Sequence, residues 1–324
     1  MKRKIYKKLL EWKNTSQGAS ALMIDGARRV GKSWIAEEFA KNEYENYLII
    51  DFAKASRDVK GFFMNYLDDL DTFFMYLLGA YNVELKPRKS LIVFDEVQRF
   101  PRAREAIKYL VADSRYDYIE TGSLISIRNN VKNIVIPSEE HHIEMFPMDF
   151  EEFLWAMGNE TLMPFLQKRY AEAKPIKEMH REAMDYFRRY MIVGGMPQAV
   201  EKYVQTRDFV QVDLIKRDIL TTYRNDIRKH AGRLAMKVTS IFDEIPAQLQ
   251  RNERKFRLAD LDKDARMRDY ETAFMWLSDA KIINCCYNTT APNIGLKLNM
   301  DRMTLKCYMA DTGLLISHTF DEKQ

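Results

Sequence analysis

The sequence predicts an α/β fold in which a parallel sheet interleaved with helices is followed by a helical region and then a winged helix-turn-helix. Three observations predict it. A glycine-rich turn, Gly26-x-x-x-x-Gly31-Lys32-Ser33, lies between a short apolar run and a segment of helical periodicity. A second apolar run, Leu91-Ile92-Val93-Phe94, ends in two acids, Asp95 and Glu96. Beyond Met157 the alternation of strands and helices stops, and long helical patterns lead into two short strand patterns. The 324 residues are enough for about two domains of roughly 150 residues, and the expected division is 1–157, 158–232 and 233–324.

Composition sets limits. The chain is 46% hydrophobic and 30% charged, with 51 Lys and Arg against 47 Asp and Glu, so its bulk charge demands neither a nucleic acid nor a membrane. Cys285, Cys286 and Cys307 have no metal-like spacing, and the adjacent pair is poorly placed to bridge itself, which fits a reducing, cytoplasmic setting. The five histidines, including His141-His142, lack ligand spacing, so Mg²⁺ is the one metal expected. The basic N-terminus has neither the apolar stretch of a signal peptide nor that of a membrane span, and no membrane partner is expected. Ile5, Leu9 and Trp12 instead mark an amphipathic helix that packs on the protein's own body.

Next comes the apolar run Ala21-Leu22-Met23-Ile24, a buried strand, and after the turn Trp34, Ile35, Ala36 and Phe39 fall at helical spacing. Strand, glycine loop and helix together make a phosphate-binding loop: Gly26, Ala27, Arg28, Arg29, Val30, Gly31, Lys32, Ser33 and Trp34 are the candidate nucleotide-binding residues. Glycines let backbone N–H groups approach phosphate, and the helix N-terminus adds a favourable dipole. Lys32 reaches the β- and γ-phosphates, while the Ser33 hydroxyl ligates Mg²⁺. The side chains of Arg28 and Arg29 sit at variable loop positions and read as solvated or intersubunit charges rather than phosphate ligands.

The Leu91 run has the character of a strand buried on both faces, with its acids at the edge where parallel sheets present ligands. Asp95 is then the second Mg²⁺-facing residue, and Glu96 is placed to orient and deprotonate an attacking water. Residues 47–52 and 116–121 are further strands and residues 103–111 a helix. Thr121 and Ser123, at the end of the strand after the acids, are the candidates for a polar group that senses γ-phosphate or water, or else simply make a turn.

In the second half, Phe209, Val212, Ile215, Ile219, Tyr223 and Ile227 form an apolar stripe on a charged helix, and Gly194-Gly195 breaks the preceding helix before Pro197 opens another. Helical patterns at 236–249, from 258–260 onward and at 268–278 precede strands at 281–287 and 304–309, the order of a winged helix-turn-helix. Lys255, Arg257, Lys263, Arg266 and Arg268 are the footprint of a DNA-backbone contact, or, with Asp260, Asp262, Asp264 and Asp269 among them, the surface of a packing module.

Several stretches together resemble the bacterial and archaeal AAA-superfamily ATPases whose ATPase domain precedes a C-terminal domain of unknown function. They are residues 26–33, Phe94-Asp95-Glu96-Val97-Gln98, Thr121-Gly122-Ser123, residues 146–153, Gly194-Gly195-Met196-Pro197 and residues 308–314. The resemblance implies an ATPase core, a helical region, a winged helix and a nuclease-like extension. The sequence stops shortly after Asp311-Thr312-Gly313, where that family continues, so the chain is either a truncated member or one without the extension, and nuclease activity is not among the expectations.

The expected function is that of a Mg²⁺-dependent ATP hydrolase, slow or stimulated by a partner, whose nucleotide state repositions the helical and winged-helix parts, with ATP and Mg²⁺ as cofactors. Lys32, Glu96 and Ser123 are its candidate catalytic residues, and Arg99, Arg102, Arg104, Arg115 and Arg224 its candidate arginine fingers, in cis or from a second copy. An ATP-regulated DNA-binding regulator or defence component and a P-loop kinase are the rival readings; a homo-oligomer or a protein partner is compatible with each. Glu96 directly after Asp95 favours activated water over a kinase acceptor.

Overall fold

The structure, a computed structural model, describes residues 1–122, 139–251, 255–291 and 293–320. It forms two compact units: Arg3–Met145, and residues 146–324 with Met1–Lys2. The segments expected as helical region and winged helix both fall in the second.

The first unit is a five-stranded sheet of β1 (Ala21–Gly26), β2 (Asn46–Asp51), β3 (Ser90–Asp95), β4 (Asp117–Thr121) and β5 (Glu140–Met145). All pairings are parallel, in the order β2-β3-β4-β1-β5. Ala21, Leu22, Met23 and Ile24 of β1 and Leu91 to Phe94 of β3 are buried on both faces, as the unbroken apolar runs require. Helices α1 (Ile5–Ser16), α2 (Lys32–Glu43), α3 (Arg57–Asn65), α4 (Leu70–Tyr81) and α5 (Pro101–Asp113) surround it. Ser56 caps α3 by accepting from the Val59 amide, Asp69 caps α4 by accepting from that of Thr72, and Pro101 opens α5. Against one sheet face Phe52, Phe63, Phe73 and Phe94 pack edge to face, with centroids 4.9 Å apart for Phe63–Phe73 and 5.5 Å for Phe52–Phe94. Ile5, Leu9 and Trp12 of α1 are buried, and the Trp12 indole N–H donates to the Ser20 carbonyl at 3.3 Å.

The parallel arrangement brings the C-terminal ends of the strands to one edge of the sheet, with β4 between the loop-bearing β1 and the acid-bearing β3. Register places Thr121 beside Ile24 and Asp51 beside Asp95.

In the second unit, helix α6 (Phe150–Ala156) starts with a reciprocal capping box between Asp149 and Glu152. Helices α7 (Leu162–Ala171), α8 (Met179–Val193), α9 (Pro197–Thr206) and α10 (Phe209–His230) follow. Gly194 takes φ +80° where α8 ends, and a Cβ on Gly195 would stand 2.0 Å from the Met148 carbonyl oxygen, so this break admits little else. The Met148 amide donates to the Gly195 carbonyl at 2.7 Å. Asp311 completes the knot: its carboxylate accepts from the Gly195 amide at 2.6 Å and from the Leu314 amide at 2.8 Å, where it caps α13 (Thr312–Thr319). Three of the resembling stretches, 146–153, 194–197 and 308–314, thus meet in one place.

Between α10 and α13 lie α11 (Ala235–Gln250), α12 (Met267–Asp279) and an antiparallel hairpin of β6 (Ile283–Thr289) and β7 (Met300–Met309). The helix expected from residue 258 is a single 3₁₀ turn, Leu258–Asp260. The Asp262 side chain accepts from the Asp264 amide at 3.1 Å, a local bond that competes with helix propagation. Among the described residues no helix is long and apolar enough to cross a membrane.

Candidate functional site

The loop after β1 is shaped by its glycines. Gly26 has φ +151°, and a Cβ there would lie 2.2 Å from the Met145 carbonyl oxygen; Gly31 caps α2 in the left-handed region at φ +98°. Ala27 and Val30 are buried, which anchors the loop from below, and the Arg3 guanidinium donates to the Val30 carbonyl at 3.0 Å. Arg28, Arg29, Ser33 and Trp34 are exposed. Backbone amides at a helix N-terminus and a line of small or solvent-facing residues make an anion cradle.

Lys32 is the buried charge of this cradle. Its ammonium donates to the carbonyls of Gly26 at 3.0 Å and Ala27 at 2.9 Å. Burial pushes its pKa down to about 8, against the pull of Glu96, Asp25 and Asp95, which favour the charged form.

At the end of β3, Asp95 meets two hydroxyls. Ser33 donates to its Oδ1 at 2.7 Å across 62 positions of sequence, and Thr121 from β4 donates to the same oxygen. Glu96 holds a left-handed backbone, φ +54°, which costs a residue with a Cβ and here turns its carboxylate beside the strand ends. Its amide donates to Thr121 Oγ1 at 3.4 Å, and its Oε2 accepts from the Gln98 side-chain amide at 2.8 Å. Gly26, Lys32, Ser33, Asp95 and Glu96 therefore converge. Of the two polar residues weighed at the end of β4, Thr121 is at the site; Ser123 lies outside the described residues.

The sequence alone assigns no role to Gln98, Asp25 or the backbone of Glu96. Gln98 gives a faint signal in the sequence, a polar residue two positions past the acid; a positive φ at a glutamate gives none. Among the candidate fingers, Arg104 is excluded by its surroundings: it is 2% exposed and held by Glu140, at 2.8 Å. Arg102 is paired with Glu105, Arg115 with Asp71 and Asp113, and Arg224 with Asp243, while Arg99 is exposed.

Ser33 and Asp95 present the hard oxygen donors that suit Mg²⁺. No cluster of three or more His, Cys, Asp or Glu able to hold a metal occurs among the described residues. Two donors fit an ion that takes its remaining ligands from phosphate and water rather than from an all-protein cage.

Residues 19–154 match the family model of the AAA domain, and residues 184–323 match that of a domain of unknown function. No curated protein matches the chain. Among solved structures, the Walker-type ATPase of Pyrococcus abyssi is similar with a TM-score of 0.56 at 14% identity, over 99% of this chain and 96% of its own. The RuvB Holliday junction branch migration motor of Thermotoga maritima gives 0.40 at 12% identity, covering 88% of this chain and 89% of its own. The AMPPCP-bound DnaA of Aquifex aeolicus gives 0.39 at 12% identity, covering 86% of each chain.

Proposed function

We propose that the first unit binds Mg²⁺-ATP and hydrolyses it, slowly or on stimulation by a partner, and that nucleotide state repositions the second; the matches of residues 19–154 to the AAA domain and of residues 184–323 to a domain of unknown function support this reading. The observation that carries this reading is the meeting of the Ser33 hydroxyl, from the helix that follows the glycine loop, with the Asp95 carboxylate from β3. Loop amides and protonated Lys32 hold the β- and γ-phosphates. Ser33 and Asp95 are the residues that would hold Mg²⁺, which would neutralise phosphate charge when bound. Glu96 orients a water in line with the γ-phosphate and takes its proton, with Gln98 fixing the carboxylate. Thr121, or Ser123 beyond it, supplies the polar group that reports γ-phosphate. The cytoplasm, where ATP and Mg²⁺ are abundant, is the setting this chemistry needs.

The test is phosphate release from Mg²⁺-ATP with no acceptor present. Native protein releases phosphate and stops when Mg²⁺ is chelated; Lys32→Ala loses binding and turnover together. Equal binding and turnover in Lys32→Ala would sink the reading. The mass of the protein with and without ATP separates an arginine supplied by a second copy from one supplied in cis.

A second reading, ATP-regulated DNA binding, draws on the order α11, 3₁₀ turn, α12 and hairpin, which is that of a winged helix, with Arg266 and Arg268 exposed at the start of α12. The same helix carries exposed Asp269, and Lys237 is engaged with the Asp269 carbonyl at 2.8 Å and the Tyr270 ring. A duplex affinity that falls steeply with salt supports this reading, and a flat response removes it.

A further inference from the structure

The β6–β7 hairpin carries all three cysteines of the chain. Cys285 and Cys307 are direct register partners across the antiparallel pair, so their side chains leave the same face. Such partners have Cβ atoms about 4.5–5.5 Å apart, next to the roughly 3.5–4.5 Å that a disulfide requires. Tyr287 stands two residues along on that face. Cys286 points to the other face, opposite Lys306, and is exposed. The pair is graded in access: Cys285 is half-buried and Cys307 buried.

We propose that Cys285 and Cys307 are a reversible redox pair that closes a cross-strand disulfide by exchange with a low-molecular-weight disulfide, Cys285 attacking and Cys307 resolving. The Cys285 thiolate attacks one sulfur of the small disulfide, forming a mixed disulfide and releasing the first small thiolate. Cys307 then attacks the Cys285 sulfur, the mixed bond breaks, and the second small thiolate leaves with the Cys307 proton. Two protein thiols are oxidised and one small disulfide is reduced to two thiols. The roles follow from the surroundings. Bonds from Cys307 and then Tyr287 hold the Cys285 thiol below its ordinary range, which raises its thiolate fraction. The bond to Cys285 and burial hold Cys307 well above its own, so it waits for a disulfide beside it. Closure ties β6 to β7 at mid-ladder, and a reductant frees them.

The full-length protein is incubated with glutathione disulfide, alkylated, digested without reduction and mapped. The expected product is a Cys285–Cys307 linked peptide pair lighter by two hydrogens, with Cys286 alkylated and the link reversed by dithiothreitol. Cys286→Ser keeps the link, and Cys307→Ser halts at a mixed disulfide on Cys285. Native and Cys286→Ser maps decide the matter even where Cys307→Ser fails to fold. Alkylation of all three cysteines, or oxidation confined to Cys286, overturns the proposal.

Discussion

Asp95 and Asp311 both close a strand, and they have opposite environments. Asp95, at the end of β3, is partly exposed and bonded to two hydroxyls, from Ser33 and Thr121. Asp311, two residues past β7, is 4% exposed; burial pushes its carboxyl upward, and backbone amides of Gly195 and Leu314 take its oxygens. A hydroxyl turns about its C–O bond and can release its acceptor to another ligand, whereas an amide fixed in a chain break or helix start cannot. A carboxylate saturated by amides is therefore architecture, and one met by hydroxyls at an open strand edge remains available for chemistry.

Glu96→Gln tests the available side of this contrast most strongly. Loss of the base is expected to lower turnover by about 10²–10⁴-fold while ATP still binds, read by phosphate release beside equilibrium binding. Undiminished turnover removes Glu96 from its role. Asp311→Ala tests the architectural side: two buried amides lose their acceptor, a cost of roughly 2–5 kcal/mol in urea unfolding, with ATP affinity unchanged. If instead affinity collapses while stability holds, the contrast between the two acids is mistaken. Next is pH. The form of Lys32 that binds phosphate is the protonated one, and burial has brought its pKa down to about 8. ATP affinity is thus fully present below that value and declines as pH rises through it, and titration calorimetry across the range that shows no decline contradicts the assignment. The smallest effect is expected of Arg28→Ala with Arg29→Ala, both exposed: a loss under about 1 kcal/mol in ATP binding, well short of that from Lys32→Ala.

The loop, β1 and β3 were legible because strands buried on both faces are written as unbroken apolar runs, whereas β4 was legible from its Tyr118 and Ile119 although Asp117, Glu120 and Thr121 are buried with them. β5 was not: Glu140, His141 and His142 are polar, and the strand is recruited by pairing with β1 rather than by its own pattern. Helices α3 and α4 also escaped notice, although Ser56 and Asp69 stand at their starts as recognisable caps. Helices α11 and α12 and the strands of the hairpin were legible, but the helix expected from residue 258 was not, because the Asp262 side chain captures the Asp264 amide there. At the site, the residue types were readable but their pairing was not. That Ser33 and Thr121 converge on one oxygen of Asp95 depends on strand order, which places β4 between β1 and β3 and has no local signature. Asp311 shows the converse: its stretch carries the resemblance, yet only its pairing with the Gly195 amide, 116 positions away, says what it does.

The bare α-carbon of Gly26 has a further consequence. Met145, whose carbonyl oxygen occupies the place a side chain would need, is both the register partner of Gly26 and the last residue of the first unit. The polypeptide therefore departs from the five-stranded sheet while touching the first glycine of the loop. Loop and chain exit thus meet at one backbone contact, so a side chain at position 26 would disturb the last residue of the sheet as well as the first turn of the loop.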